Sequence, residues 1–318
     1  MKITESKLKD VILFRLNHTE QETLEFFSIK SESLNRYIRE AKSRDIVTKK
    51  QIQSLDLCNK LSEKELYLML KNKHIDQVYK TIDIVGSKDK YVKFAAMSDT
   101  HFGSNHTDPS YFLSCVKFIE EQGCSFLTIA GDVTEGMSAR QGHCYEVTHL
   151  GYEAQKRHSR DMLSNIKIPT YIIDGNHDRW FLKAIGANIV KDISETLSNV
   201  EYLGSDEGDI NIDNIKIKMW HGGDASSAAY SWRLQKLACN AFENGTIKPN
   251  ILLAGHVHKM GYIYEKNIHC VSTGSIQKQS SWMKGKVLTA HTGFFIIEFR
   301  YNDKGIVSFK PEWFPYYK

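Results

Sequence analysis

Proline is scarce in this 318-residue chain, with only 5, which argues against a collagenous, polyproline or low-complexity architecture. Cysteine is too scattered for a scaffold. Cys58, Cys115, Cys124, Cys144, Cys239 and Cys270 include no CxxC pair, which excludes a disulfide framework or a cysteine zinc site and leaves them as small core residues. No apolar run approaches the roughly 18 residues that a bilayer span requires, so no membrane association is expected. The opening stretch MKITESKLKDVILFRLNHTE mixes charge into its apolar residues and has no small-residue cleavage site; it does not read as a signal peptide, and the expected location is cytoplasmic. Strong net charge is also missing. The balance of 42 basic and 38 acidic residues leaves +4, too mild by itself to announce a nucleic-acid partner.

What is present suits a folded protein of one large or two smaller domains, with 41% hydrophobic and 11% aromatic residues. The first fifty residues carry helical spacing: Leu8, Val11 and Ile12, then Leu24, Phe26 and Phe27, then Leu34, Tyr37, Ile38 and Ala41. Ser31 or Ser33 would cap the third helix after a turn around SIKSES. Residues 1–50 are therefore read as a helical domain. Residues 51–90 are read as a helical connector, holding LSEKELYLMLKNKHI and a strand-like run YKTIDIV, with the boundary at Gly86-Ser87.

Residues 91–318 change character. Buried strands end in polar, glycine-bearing loops: VKFAAMS at Asp99, SFLTIAG at Asp132, PTYIIDG at Asn176, IKIKMW at His221 and NILLAG at His256. Helical stretches such as YFLSCVKFIEE and WRLQKLACNAF separate several of them, whereas HCVSTGS, GFFIIEF and GIVSFK follow closely and predict antiparallel pairing. Strand ends that deliver polar side chains are how an open α/β sheet builds a site along one edge.

These junctions carry Asp99 and His101 (SDTH), Asp132 (AGD), Asn176, His177 and Asp178 (GNHD), His221 (HGG), and His256 and His258 (GHVH). Imidazole and carboxylate together suit Mn²⁺, Fe²⁺ or Zn²⁺. Asp99 and His101 are two apart, so an extended segment would aim both at one ion, and the flanking Gly131, Gly175, Gly222 and Gly255 would let the backbone turn sharply. One such cluster alone would be an ordinary surface loop. Five in order, each after an apolar strand, are a constellation.

On these residues the chain resembles the calcineurin-like metallophosphoesterase superfamily, whose signature D-x-H, G-D, G-N-H-[DE], H and G-H-x-H appears as SDTH, GD, GNHD, HGG and GHVH across about residues 91 to 300. The resemblance implies a four-layer α/β/β/α sandwich with mixed sheets and two divalent metal ions, Mn²⁺ above Fe²⁺ or Zn²⁺. Asp99, His101 and His258 would hold one ion, Asn176, His221 and His256 the other, and Asp132 would bridge them. His177 would be the catalytic histidine and Asp178 a support for its loop. Such a pair activates water for in-line attack on phosphorus.

Three features bear on the substrate. The N-terminal bundle resembles a helix-turn-helix, whose third helix would present Asn35, Arg36, Arg39, Lys42 and Arg44 to phosphates and base edges. Residues 30–50 hold seven basic and three acidic side chains, a surplus equal to the net charge of the whole chain. The surroundings of SDTHFGS and GDVTEGM resemble the DNA-acting branch of the superfamily, the exonuclease-bearing small subunits of archaeal replicative polymerases and the double-strand-break repair nucleases. Arg140 and His143, nearest the metal loop, would hold a flanking phosphate, and Tyr230, Trp232 and Arg233 would stack a base. DNA is the expected substrate and an exonuclease the expected activity. A phosphatase or a nucleotide or cyclic-nucleotide phosphodiesterase is the alternative, and a DNA-binding regulator with a sensor domain is a further one. A protein partner or a homodimer is compatible with the helical module.

Overall fold

The computed structural model describes residues 7–8, 10–12, 14, 20–43, 79–222, 230–243 and 248–316. The chain divides into two units, Met1–Asp76 and Gln77–Lys318. In the first, helix α1 (Glu20–Phe27) and helix α2 (Ser31–Ser43) are joined by a turn over Ser28, Ile29 and Lys30. Leu34 and Tyr37 of α2 are buried with Leu8, Val11 and Ile12, the spacing expected of apolar helix faces. The helix expected over LSEKELYLMLKNKHI lies outside the described residues, as does Arg44.

The second unit contains two six-stranded mixed sheets. One has the order β12 (Gly305–Pro315), β11 (Gly293–Asn302), β2 (Tyr91–Met97), β3 (Leu127–Ala130), β4 (Thr170–Asp174) and β5 (Val200–Ser205). The other runs β1 (Thr81–Ile84), β6 (Glu207–Ile212), β7 (Ile215–Trp220), β8 (Ile251–Ala254), β10 (Ile268–Thr273) and β9 (Met260–Glu265). Strands β2 to β5 are parallel, and β11 and β12 add antiparallel. The run YKTIDIV, expected in the connector, supplies β1, which pairs in parallel with β6 from Thr81↔Asp209 to Ile84↔Ile212. The sheet unit therefore begins well before residue 91. Antiparallel pairing in the second half is only partial, because β7, β8 and β10 are parallel neighbours.

Three apolar layers hold this arrangement. Phe94, Phe126, Ile217, Leu253, Ile297 and others fill the space between the sheets. Phe112, Val116 and Ile119 of helix α3 (Pro109–Glu121), with Met162 and Leu163 of helix α4 (Tyr152–Leu163), cover the outer face of the first sheet. Leu234 and Ala238 of helix α7 (Tyr230–Glu243) cover the second. The result is a four-layer α/β/β/α sandwich. Strand β7 shows why: in IKIKMW the buried Ile215, Ile217 and Met219 alternate with partly exposed Lys216, Lys218 and Trp220. Each inward side chain contributes about 1.5 to 3 kcal/mol on burial.

Two short helices, α5 (Asp178–Ile185) and α6 (Ile189–Ser194), follow β4, and α8 (Ser281–Gly285) follows β10. Helix α3 is started by Pro109 at its first turn and by Asp108, whose Oδ1 accepts from the main-chain N–H groups of Ser110 and Tyr111. Among the described residues no helix is long and apolar enough to cross a membrane. Cys115, Cys124 and Cys270 are buried as expected, but Cys144 is exposed because it falls in a 3₁₀ turn, His143–Glu146, rather than in a core element.

Candidate metal centre

The five loops that follow β2, β3, β4, β7 and β8 meet at one edge of the sandwich. Main-chain bonds stitch them together: Asp99 N–H donates to Gly131 O (2.9 Å), His101 N–H to Asp132 O (3.0 Å) and Gly255 N–H to Trp220 O (3.0 Å). Asp99, His101 and His258 bring one ligand atom each into a single group, and Asp132, His221 and His256 form a second. Within the first, His258 Nε2 lies 3.1 Å from Asp99 Oδ1 and 3.2 Å from His101 Nε2. Within the second, His221 Nε2 is 3.1 Å from Asp132 Oδ2 and 3.2 Å from Asn176 Oδ1. His101 Nε2 is 3.7 Å from the same Asp132 oxygen, so that carboxylate stands between the groups.

The loops do not present these residues as extended backbone. Asp99 (φ 52°), His101 (44°), Asp132 (49°), His256 (81°) and His258 (54°) all lie in the left-handed region. The expectation that Asp99 and His101 share a direction by strand alternation is thus corrected; they converge through backbone that side-chain-bearing residues adopt at a cost of about 1 to 3 kcal/mol each. The glycines also serve two distinct ends. Gly131 has φ +85°, and a Cβ there would stand 2.3 Å from His221 Nδ1. Gly175 has no such φ, yet its Cβ would meet Asp132 Oδ1 at 2.2 Å, so close approach is what excludes a side chain.

The donor set fits divalent cations. His221 commits its Nδ1–H to Ala130 O at 2.6 Å, turning its Nε2 lone pair toward Asp132 and Asn176. Asp99 and Asp132 are buried and held well below the usual carboxylate range: burial pushes both up, but neighbouring imidazoles, His258 for Asp99 and His221 for Asp132, outweigh it. The same field acts on the rings. Against desolvation, Glu135 pushes His101 up to about 9, and Asp132 pushes His221 up to about 9. Buried carboxylates and imidazole nitrogens facing one another at this range are a donor set that a divalent cation would satisfy.

His177 stands at the rim, its side chain about a quarter exposed at 24%. Its N–H donates to Asp132 Oδ1 (2.8 Å), its Nδ1–H donates to Glu135 O (2.8 Å), and its ring packs on Trp180 at 3.9 Å. Desolvation lowers its pKa. Asp178 accepts from Val133 N, Thr134 N, Thr134 Oγ1 and Gly175 N at 2.7 to 3.0 Å, clamping the loop of Asp132 to that of Asn176. Burial and the adjacent Asp132 push its carboxyl up to about 7 against those donors.

Several expectations move. His143 is only 1% exposed and both ring nitrogens are engaged, Nε2 with Glu135 Oε1 (3.0 Å) and Nδ1 with Ser138 N–H (3.3 Å). It belongs to the interior and is not a phosphate contact. Arg140 is half-buried, forked onto Glu146 (2.7 and 3.4 Å) and 6.0 Å from the ring centre of Trp282. Arg233 is buried and donates to Gly255 O (2.9 Å) and His221 O (2.8 Å), so it braces the loops after β7 and β8 instead of stacking a base. Trp232 is exposed. The side chains of Tyr230, Arg39 and Lys42 lie outside the described ones, while Asn35 and Arg36 are exposed on α2. Sequence reasoning missed Glu135 and Gln277. The first had a signal, an acidic residue three after Asp132 in GDVTEG; the second had none.

A family model described as the calcineurin-like phosphoesterase superfamily domain matches residues 92–293. The DNA polymerase II small subunit of Methanothermobacter thermautotrophicus is 26% identical over 246 residues, covering 63% of this chain and 50% of that protein, so the chain spans about half the length of this relative. Among solved structures, a novel archaeal phosphodiesterase is similar at 15% identity and a TM-score of 0.39, covering 70% of this chain and 100% of its own. Vps29 of Entamoeba histolytica in complex with zinc is similar at 16% identity and a TM-score of 0.37, with 70% and 99% covered.

Proposed function

Because the chain belongs to the calcineurin-like phosphoesterase superfamily, we propose that it is a dimetal-dependent phosphodiester hydrolase acting on DNA, and specifically an exonuclease. The observation that carries the hydrolase reading is the convergence of Asp99, His101 and His258, and of Asp132, His221 and His256, at one edge of the sandwich. Asp99, His101 and His258 would hold one ion, Asn176, His221 and His256 the second, and Asp132 both, with Mn²⁺ the expected metal. When bound, two such ions supply Lewis acidity toward phosphate oxygens and an activated water.

The protein's own groups do the rest. Asp178 holds the two loops in register, and His177 presents Nε2, the ring atom not committed to Glu135. A phosphate anion beside that ring would favour its protonated form, which can give a proton to the leaving oxygen. DNA as substrate is supported by the relationship to a DNA polymerase small subunit and by the basic surplus of residues 30–50, with Asn35 and Arg36 exposed on α2. A helix-turn-helix use of α1 and α2 would place that helix against phosphates.

The test is to incubate the full chain and Mn²⁺ with end-labelled single- and double-stranded DNA, bis-p-nitrophenyl phosphate and mononucleotides. Stepwise shortening of labelled DNA is the expected result. Phosphate release from mononucleotides with intact DNA would instead make the protein a phosphatase.

A further inference from the structure

We propose that Glu135 is the positioning residue of this site, setting which ring nitrogen carries the proton in His101, His143 and His177. The residue is 3% exposed in the loop after β3. Its Oε2 lies 3.0 Å from His101 Nδ1 and accepts from Gln277 Nε2 at 2.9 Å; its Oε1 lies 3.0 Å from His143 Nε2; its main-chain O is 2.8 Å from His177 Nδ1. A carboxylate and a carbonyl only accept, so His143 Nε2 and His177 Nδ1 must donate, and a carboxylate oxygen 3.0 Å from His101 Nδ1 favours a proton there as well.

His143 gives an independent check. Its Nδ1 accepts from the Ser138 N–H, which puts the ring proton on Nε2, the atom facing Glu135. For His101 the Nδ1 stands 3.0 Å from the Glu135 carboxylate, an ion-pair contact that favours the proton on that nitrogen and leaves Nε2 facing Asp99, Asp132 and His258. For His177 the Nδ1 proton goes to the carbonyl. One residue therefore leaves Nε2 of the His101 ring facing the other proposed ligands and Nε2 of the rim histidine facing outward from Glu135.

Glu135 also gathers chain segments far apart in sequence. Gln277, which donates to it, donates as well to Ser104 Oγ (2.8 Å), and its own N–H donates to Asp99 O (3.1 Å). His143 brings in the segment that carries Arg140 and Glu146. Fixing the tautomer of a metal-holding imidazole through its second nitrogen is a role whose loss typically costs ten- to a hundredfold in metal affinity. The proposal rests on the metal-centre reading above.

The test is Glu135→Leu in the full chain, which removes both acceptor oxygens and keeps the main-chain carbonyl; an amide would not serve, because its oxygen could still face His101 and Gln277 while its NH₂ opposed only His143. Isothermal titration with Mn²⁺ should find two sites in the wild type. In E135L one should weaken about ten- to a hundredfold and the other should hold. Long-range ¹H–¹⁵N spectra of the Zn²⁺-loaded proteins should show the His101 Nδ1 proton lost or exchanging in E135L, while that of His177, held by the main chain, persists. Unchanged Mn²⁺ binding and ring protons in E135L overturn the proposal and leave the metal reading standing. A wild type that binds no Mn²⁺ overturns both. If E135L loses its circular dichroism, Gln277→Ala decides: it keeps the carboxylate but removes a donor to Oε2, and should weaken the same single site several-fold, an unchanged site refuting the role.

Discussion

Replacing Arg233 by methionine isolates what a buried cation does for the metal loops. The apolar stem is kept, so packing against the surroundings of α7 changes little, and among its contacts the guanidinium gives up donation to two carbonyls, those of His221 and Gly255. These carbonyls are not equally dependent on it. Gly255 O also accepts from Val257 N–H at 3.1 Å, a bond that survives. Among the described residues no other N–H reaches His221 O, and an unsatisfied buried acceptor costs about 1 to 3 kcal/mol. Removing the guanidinium also removes its own desolvation penalty, which offsets part of that cost. The metal-free melting temperature should therefore fall by less than about 12 °C, the full cost at about 2 to 4 °C per kcal/mol for a unit of this size. The damage should concentrate at His221 and, through Gly255, at its neighbour His256. In Mn²⁺ titration the Asn176, His221 and His256 site should weaken about ten- to a hundredfold while the Asp99, His101 and His258 site keeps its affinity. Equal weakening at both sites, or none at either, would refute the reasoning.

His177→Ala should retain two Mn²⁺ by metal analysis and lose about a hundred- to ten-thousandfold in turnover on bis-p-nitrophenyl phosphate, whereas Asp132→Ala should lose metal as well. A His177 variant lacking metal would mean that its role is structural. Alanine at Arg36, Arg39 and Lys42 together should flatten the dependence of DNA affinity on salt by up to about one unit of slope for each phosphate no longer neutralised; an unchanged slope in fluorescence anisotropy would move α2 to a protein-docking role. His269, stacked on Phe309 at 4.0 Å and bonded to Tyr262 OH at 2.9 Å, is pushed down to about 4 by burial. A histidine with a depressed folded pKa leaves the unfolded chain holding more protons between about 6.5 and 4, so stability is full above that window and falls as pH falls through it, by up to about 1.4 kcal/mol per pH unit. Urea melts of His269→Phe should lack that part of the pH dependence; parallel curves for variant and wild type would sink the assignment.

The strands that carry the site were legible because buried parallel strands are near-continuous apolar runs that stop abruptly at polar residues. VKFAAMS, LTIA and ILLA have that form, and each ends where β2, β3 and β8 end. The strands that escaped notice are of another kind. EGDINI of β6 and MGYIYE of β9 dilute their apolar residues with glycine and charge; TIDI of β1 reads as a strand, but as one of the connector, because it is a half-exposed edge whose partner lies more than a hundred residues away. Pairing at that distance leaves no mark in local periodicity. The family resemblance implies two sheets, but which strands join which is hidden, since IKIKMW reads the same whichever sheet it joins.

The site itself divides along a similar line. Ligating side chains announce themselves by type and order, because metal chemistry admits few substitutes. The groups that hold them do not, since a buried glutamate, aspartate or arginine is written like an exposed one. Here three buried charged residues span the five loops: Asp178 joins those after β3 and β4, Arg233 those after β7 and β8, and Glu135 joins the β2 loop to the β3 loop through His101. Five proposed ligand residues in left-handed backbone would not persist without such fixtures, because strain of this kind survives only where surrounding contacts over-determine it. The ligands locate the chemistry; the clamps decide whether the loops can stay bent around it.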